Sequence, residues 1–295
     1  MGKTPAPTAI FLHIPKTAGS TMTGILNRLY AGQNRYSIIA DSQVDALKAL
    51  PEAERAQIDL LQGHFPYGIH KYLPRSGVYF TILREPVDRI ISLYYYLPRD
   101  PGNYLYEKVV LGKLSLEEFV QRDLTPATRN FQTAALAGME RWEDFHTINE
   151  DTLERAKYNL RNKIAAFGLT ERFDETLLLF NRQFRWGFRS GFFDYSKRNV
   201  TAERPAKDHI PEHIRDLIRE KNAYDIKLYA YARELFEERI REAGLSFRIE
   251  RWLQQVLRSR TFAASKHRLL YSQICTLVDR AFGYAYNFPQ PDSQG

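Results

Sequence analysis

The stretch Phe11-Leu-His-Ile-Pro-Lys-Thr-Ala-Gly-Ser-Thr-Met22 constrains this chain more than any other. Residues 9–12 are apolar without a break and read as a buried strand. Pro15 ends that run, and a helical pattern begins at Ser20, with Ile25, Leu26 and Leu29 on one face. A strand, a tight turn and a helix N-terminus make a ready anion cradle. Backbone N–H groups at the helix end are unpaired within the helix, and its dipole is positive there. Lys16 adds a full mobile charge. The chain is therefore expected to serve a bound phosphate-like group.

The rest of the sequence repeats the alternation of strand and helix. Residues 36–39 and 59–63 are short strand candidates, with a helix over 42–50 that Asp41 is expected to cap. Residues 78–83, Val-Tyr-Phe-Thr-Ile-Leu, are apolar on both faces and rich in β-formers, as a central parallel strand requires. Pro86 opens a helix to about residue 97. Ser115 and Glu118 form a capping box. Helices are also expected over 127–137, 150–163, 172–184 and 212–243, the last with a break near Asn222, and a strand over 164–169. This order predicts an α/β fold: a central parallel sheet flanked by helices, with a helical C-terminal extension. The expected division is one domain over 1–245 and an extension over 246–295 packed on it. Residues 185–210 carry aromatic, Lys and Arg residues without periodicity and read as a long functional loop.

The chain has 295 residues, with 42 Lys plus Arg against 35 Asp plus Glu, a formal charge of +7. That balance favours an acidic partner: a nucleotide, a polyanionic glycan, nucleic acid or an anionic lipid surface. In the C-terminal stretch, Ile249, Trp252, Leu253, Val256 and Leu257 form an apolar stripe beside Arg251, Arg258, Arg260 and Lys266. Packing on the core is the ordinary use of such a stripe, and peripheral membrane contact is the other. The single cysteine, Cys275, excludes an internal disulfide and suggests a reducing compartment. No apolar run reaches the ~18–20 residues of a spanning helix, and the first residues lack a signal core or a myristoylation pattern. On these grounds a cytoplasmic protein is expected.

The cradle is not an ordinary nucleotide-kinase loop. That pattern, G-x-x-x-x-G-K-[ST], places the lysine after the last glycine, whereas Lys16 precedes Gly19 by three residues. No second carboxylate motif for Mg²⁺ is evident. A kinase of nucleotides or small molecules and a non-enzymatic polyanion-binding protein stay as alternatives.

The run His13-Ile-Pro-Lys-Thr-Ala-Gly-Ser-Thr21 closely resembles the 5′-phosphosulfate loop of PAPS-dependent sulfotransferases, a family with a P-loop-kinase-like fold. The Ile-Pro-Lys-Thr-Ala-Gly form resembles the carbohydrate O-sulfotransferase branch, which includes the heparan sulfate enzymes. Arg84 and Ser92 follow in an Arg-x7-Ser arrangement, at the exit of the strongest strand and in the next helix. Looser similarity continues through Gly63-His-Phe-Pro66, Asn130-Phe-Gln-Thr133, Phe167-Gly-Leu-Thr170, Asn199-Val-Thr201 and Asp225-x-x-Leu-Tyr229.

The resemblance implies a sulfuryl transferase that uses PAPS (3′-phosphoadenylyl sulfate) as donor and a hydroxyl, of a sugar or glycan, as acceptor. It needs neither a metal nor a nucleic-acid partner. Lys16, Thr17, Ala18, Gly19, Ser20 and Thr21 would hold the phosphosulfate, with Lys16 also stabilising charge on the leaving phosphate. Arg84 and Ser92 would hold the 3′-phosphate. Lys197, Arg198 and Thr201 lie where the family closes a loop over the nucleotide. His64, in a rigid turn after a strand, is the candidate general base, and His70 is the second candidate. The uronyl 2-O enzymes of the family carry a His-x-His pair here, and this chain has Gln62 in its first position. Arg129, Asn130 and Gln132 are candidate acceptor contacts. Each has an ordinary use as well: Arg84 an ion pair with Asp88, His64 a structural turn, and residues 129–132 a solvated helix face.

Overall fold

The computed structural model of the chain describes residues 6–186 and 207–258. In order, the elements are β1 (Thr8–Leu12), α1 (Gly19–Leu29), β2 (Arg35–Ile38), α2 (Asp41–Ala49), the single turn α3 (Glu52–Arg55), β3 (Leu60–Gly63) and β4 (Gly77–Leu83). They continue with α4 (Pro86–Tyr94), α5 (Leu116–Gln121), α6 (Phe131–Ala137), α7 (Glu150–Asn162), β5 (Ile164–Leu169), α8 (Phe173–Phe184), α9 (Glu212–Lys221) and α10 (Ala223–Arg258).

The strands pair in the order β2-β3-β1-β4-β5, and every pairing is parallel. This is the expected central parallel sheet with helices about it. All five residues of β1 are buried, because helices cover both faces of a parallel sheet. Phe11 of β1 stacks on Phe80 of β4, and Phe80 packs edge-on against Phe180 of α8. At the carboxyl end, Thr81 donates its hydroxyl to the Leu12 carbonyl at 2.7 Å. The chain leaves β1 toward β2 and β3 on one side and returns to β4 on the other. Such a reversal opens a crevice beyond the carboxyl ends of the strands, where open α/β sheets bind ligands. A second apolar cluster joins α4, α5 and α9 through Ile90, Ile91, Phe119 and Ile218.

Three local expectations change. Asp41 lies within α2; the side chain that receives the Ala40 N–H is that of Gln43, at 3.1 Å. The helix expected over 127–137 is a 3₁₀ turn (Pro126–Thr128), then Asn130 in the left-handed region (φ 44°), then α6. The helix begun at Pro86 ends at Tyr94. The capping box of Ser115 and Glu118 is present, and the break near Asn222 separates α9 from α10.

Helix α10 is interrupted at Gly244 (φ 66°) and then continues. Beyond that kink the buried face carries Phe247, Glu250 and Gln254, while Trp252 is 61% exposed. Trp252, expected within the apolar stripe, is thus not packed inward. Arg182 of α8 decides the rotation, donating to both oxygens of Glu250 at 2.9 and 2.8 Å. A buried charge pair left open would be strongly unfavourable. Cys275 lies outside the described residues.

Candidate active site

The loop from His13 to Ala18 leaves the carboxyl end of β1. Lys16 (φ 70°) and Ala18 (φ 63°) both hold left-handed backbone, a conformation that non-glycine residues adopt at a cost of order 1–3 kcal/mol and that clusters at functional sites. Alternation through that region turns successive N–H groups the same way, which makes an anion nest. Ala18 precedes α1, whose first turn, Gly19, Ser20 and Thr21, presents helix-end N–H groups. The buried Thr17 hydroxyl is turned back to the Ile14 carbonyl at 2.8 Å. Lys16 Nζ stands 3.4 Å from the centroid of the Tyr96 ring, a cation–π contact.

Gly19 has a steric reason. A Cβ built there would lie 1.5 Å from His13 Nε2, so the His13 ring closes directly over the helix start. His13 belongs to the loop motif, but motif reading assigned it no role. Its ring lies 4.4 Å from that of His64. The His64 backbone is fixed from the other side, its N–H donating to the Ile38 carbonyl at 2.8 Å. His64 Nδ1 is 2.8 Å from the His13 carbonyl oxygen. A carbonyl can only accept, so Nδ1 carries the hydrogen and Nε2 holds the lone pair. Burial lowers the pKa of His64 from its ordinary 6.5. Burial, then His64 and Lys16, push His13 well below it. Both rings are therefore neutral near pH 7.

Arg84 follows β4 and reaches back to the loop. Its Nη1 donates to the Lys16 carbonyl at 2.9 Å, while Nε and Nη2 donate to Asp88 at 3.0 and 2.5 Å. Ser92 is eight residues along, partly exposed on α4. Asp88 and Ser92 are spaced by four and share one side of α4, and Arg84 precedes that helix. The Asp88 pairing and the reach to the loop thus coexist in one guanidinium.

His70 sits elsewhere. It lies in the turn Ile69–Tyr72, its Cβ beside Gly77 at the amino end of β4, opposite the end where Lys16 emerges. Its Nδ1 and N–H both meet the Tyr79 hydroxyl, at 2.9 and 3.0 Å. Gln62 is buried on β3, its amide turned to Asn27 and Ser37.

Residues 130–132 face inward. Asn130 Oδ1 accepts from the N–H groups of Tyr224 and Asp225 at 3.0 and 3.1 Å, capping α10. Gln132 exchanges two bonds with the Arg84 backbone, 3.0 Å to its N–H and 2.9 Å to its carbonyl. Asp225 receives the Thr133 N–H and hydroxyl at 2.8 Å each. Arg129 pairs with Asp123 at the surface. Lys197, Arg198 and Thr201 lie outside the described residues. The structure thus gathers the 16–21 loop, His64 and Arg84 at one end of the sheet, with Ser92 farther along α4. It places His70 at the other and turns Asn130 and Gln132 into the frame. His13, Tyr96 and Asp88 were missed as site residues; the loop pattern held the first and the Arg-x3-Asp spacing the last.

The sulfotransferase family model matches residues 4–232. The chain belongs to that family. Among curated proteins, it is 32% identical to heparan-sulfate 6-O-sulfotransferase 2 of Danio rerio over 194 residues, 57% of this chain and 40% of that protein. It is 25% identical to heparan sulfate 2-O-sulfotransferase 1 of Gallus gallus over 228 residues, 68% of this chain and 63% of that protein. A third, heparan-sulfate 6-O-sulfotransferase 3 of Homo sapiens, is 30% identical over 189 residues, 56% and 39%. The chain thus spans less than two thirds of the length of these relatives.

These relatives correct the expected cytoplasmic location, since the heparan sulfate sulfotransferases are enzymes of the Golgi lumen. The inference from cysteine fails for a physical reason. A chain with one cysteine can form no internal bridge in any compartment, so the count carries no address. Among the described residues no helix is long and apolar enough to cross a membrane.

Proposed function

We propose that the chain transfers a sulfuryl group from PAPS to a hydroxyl of a sugar acceptor, with Lys16 and His64 as the groups that touch the reacting atoms. The observation that carries this is the His13–His64 contact. It puts a neutral imidazole, with Nε2 as its lone-pair nitrogen, against the first residue of the Lys16 loop. The relatives' names supply the acceptor class: their substrate is a glycosaminoglycan.

The residues fit the donor. One anion site, built from the 16–21 loop, and a second, built from Arg84 and Ser92, suit a molecule with a phosphosulfate and a 3′-phosphate. Gly19 leaves no room for a side chain beside His13. Arg84 ties the two sites together through the Lys16 carbonyl. When bound, PAPS supplies an activated sulfuryl group. Lys16 then sets positive charge beside the leaving oxygen, and His64 Nε2 accepts the proton of the acceptor hydroxyl. The new bond joins that hydroxyl oxygen to sulfur, and the broken bond frees the phosphate of PAP. Positioning and charge stabilisation carry most of such a transfer. Gln132 acts through the Arg84 backbone, as a positioning residue.

Thermal melts with PAP, ATP–Mg²⁺ and heparin side by side test the donor assignment. PAP at 100 times its dissociation constant adds about 2.7 kcal/mol of stability, and Lys16→Ala and Arg84→Ala reduce that gain. Stabilisation by ATP–Mg²⁺ but not by PAP would turn the reading to a kinase. Heparin binding without turnover would turn it to a binding protein.

A further inference from the structure

We propose that Glu171, oriented by Tyr229, is a positioning residue of the donor site: it fixes the backbone from which Arg84 reaches. This rests on the sulfuryl-transfer reading above, in which Arg84 holds the 3′-phosphate. The peptide unit between Arg84 and Glu85 is held from two sides. Its carbonyl accepts from Gln132 Nε2 at 2.9 Å, and its N–H donates to Glu171 Oε1 at 3.0 Å. In a planar trans peptide those two groups point in opposite directions. Gln132 of α6 and Glu171, in the turn after β5, therefore grip one plane from opposite edges. The neighbouring groups are taken as well. The Arg84 N–H donates to Gln132 Oε1 at 3.0 Å, and the Leu83 carbonyl accepts the Thr170 hydroxyl at 3.0 Å. Four consecutive backbone groups at the exit of β4 thus end on side chains.

Glu171 is aimed in its turn. Its second oxygen, Oε2, accepts the Tyr229 hydroxyl at 2.7 Å, so each carboxylate oxygen has its own donor. Tyr229 is buried on α10, whereas Glu171 is exposed. Packing does not require a carboxylate at an exposed position, and its removal opens no cavity. What the carboxylate does is stop the Arg84–Glu85 plane from rotating. The Arg84 guanidinium spans the Lys16 carbonyl and the Asp88 carboxylate, a reach that depends on where its own backbone stands. Thr170 ends the stretch Phe167-Gly-Leu-Thr170, and Tyr229 ends Asp225-x-x-Leu-Tyr229. The clamp on Arg84 gives a use to both.

The test is calorimetric titration of the full chain with PAP and with adenosine 5′-phosphate, which lacks the 3′-phosphate. The wild type is expected to bind PAP more tightly. Glu171→Ala is expected to weaken PAP binding roughly tenfold, the scale of one hydrogen bond to a charged group. Binding of adenosine 5′-phosphate is expected to change by less than about twofold, because the helix-end N–H groups of α1 stay in place. Glu171→Gln keeps an oxygen for the Glu85 N–H and an amide donor for the Tyr229 oxygen, and is expected to restore PAP affinity to within about twofold. Tyr229→Phe keeps the ring and is expected to weaken PAP binding about two- to fivefold. It carries the test if Glu171→Ala does not fold. Equal loss for both nucleotides marks a merely structural role and overturns the proposal. Unchanged PAP affinity in Glu171→Ala or Tyr229→Phe also overturns it, as does a Gln variant as weak as the Ala variant. A wild type that binds the two nucleotides equally overturns the underlying assignment of Arg84 instead.

Discussion

Two of the regions that hold non-glycine residues in left-handed backbone differ in where their polar groups point. In the loop after β1, Lys16 and Ala18 are left-handed, and the helix-end N–H groups of α1 lie beyond them. In the knot between α6 and α10, Asn130 is left-handed too, but its side chain, Gln132 and Thr133 all bond to backbone or to Asp225. Asparagine enters that conformation readily, whereas lysine and alanine do not. The knot uses an easy residue and closes every bond inward. The loop uses reluctant residues and presents donors outward. The lesson is that backbone strain marks a binding region where the donors it orients look out.

The comparison can be broken first at the loop. His64→Ala is expected to lower kcat by roughly 10²–10⁴-fold with a melting temperature near that of the wild type. Single-turnover kinetics at saturating PAPS measures it, and a near-normal rate would remove the base from this end of the sheet.

The next effect falls on the knot. Arg89 and Asp225 are both fully buried, 3.9 Å apart. Asp225→Ala leaves the Arg89 charge without its counterpart and is expected to cost about 3–5 kcal/mol of stability, read by urea unfolding. A small loss there, with a large loss of PAP affinity, would mean that the knot belongs to the site.

The imidazole pair sharpens the contrast by pH. His13 and His64 have folded pKa values below the ordinary 6.5. Below about pH 6.5 the unfolded chain therefore binds more protons, and stability falls as pH falls until the folded rings protonate. The melting temperature of the wild type is expected to drop more steeply on acidification than that of His64→Gln. Activity is expected to hold to lower pH than an ordinary histidine base would allow, and an acid limb at or above pH 6.5 would contradict it.

The smallest effect concerns Tyr96. Tyr96→Leu removes the ring beneath Lys16 and is expected to weaken PAP binding two- to fivefold, the range of a cation–π contact of about 0.5–1 kcal/mol. Tyr96→Phe keeps the ring and should restore the affinity in a calorimetric titration. Equal affinity in all three proteins would dissociate Tyr96 from the lysine.

Much of this was legible in the chain. The apolar runs of β1 and β4, the loop between strand and helix, the capping box of Ser115 and Glu118 and the break at Asn222 are all local signals. His64 was legible as a histidine in a constrained turn, and Arg84 as the residue that leaves the strongest strand. What misled was residue type without direction. Asn130 and Gln132 are polar and lie on a helical segment, which reads as a solvated face. Their partners are Tyr224, Asp225 and the Arg84 backbone, 48 to 95 residues away in the chain. His70 and His64 look alike as turn histidines. Only the fold puts one beside Gly77 at the amino end of the sheet and the other against His13 at the carboxyl end.

The sequence by itself determined the alternation of strand and helix, the parallel sheet and the anion loop with its lysine. Each depends on periodicity, β-propensity and turn chemistry within a dozen residues. Tertiary structure decided the strand order, the closing of His13 over Gly19, the tautomer of His64 and the face that α10 buries through Glu250. Those depend on which distant groups meet in a dry interior. There, a buried polar atom without a partner is costly enough to override a local pattern.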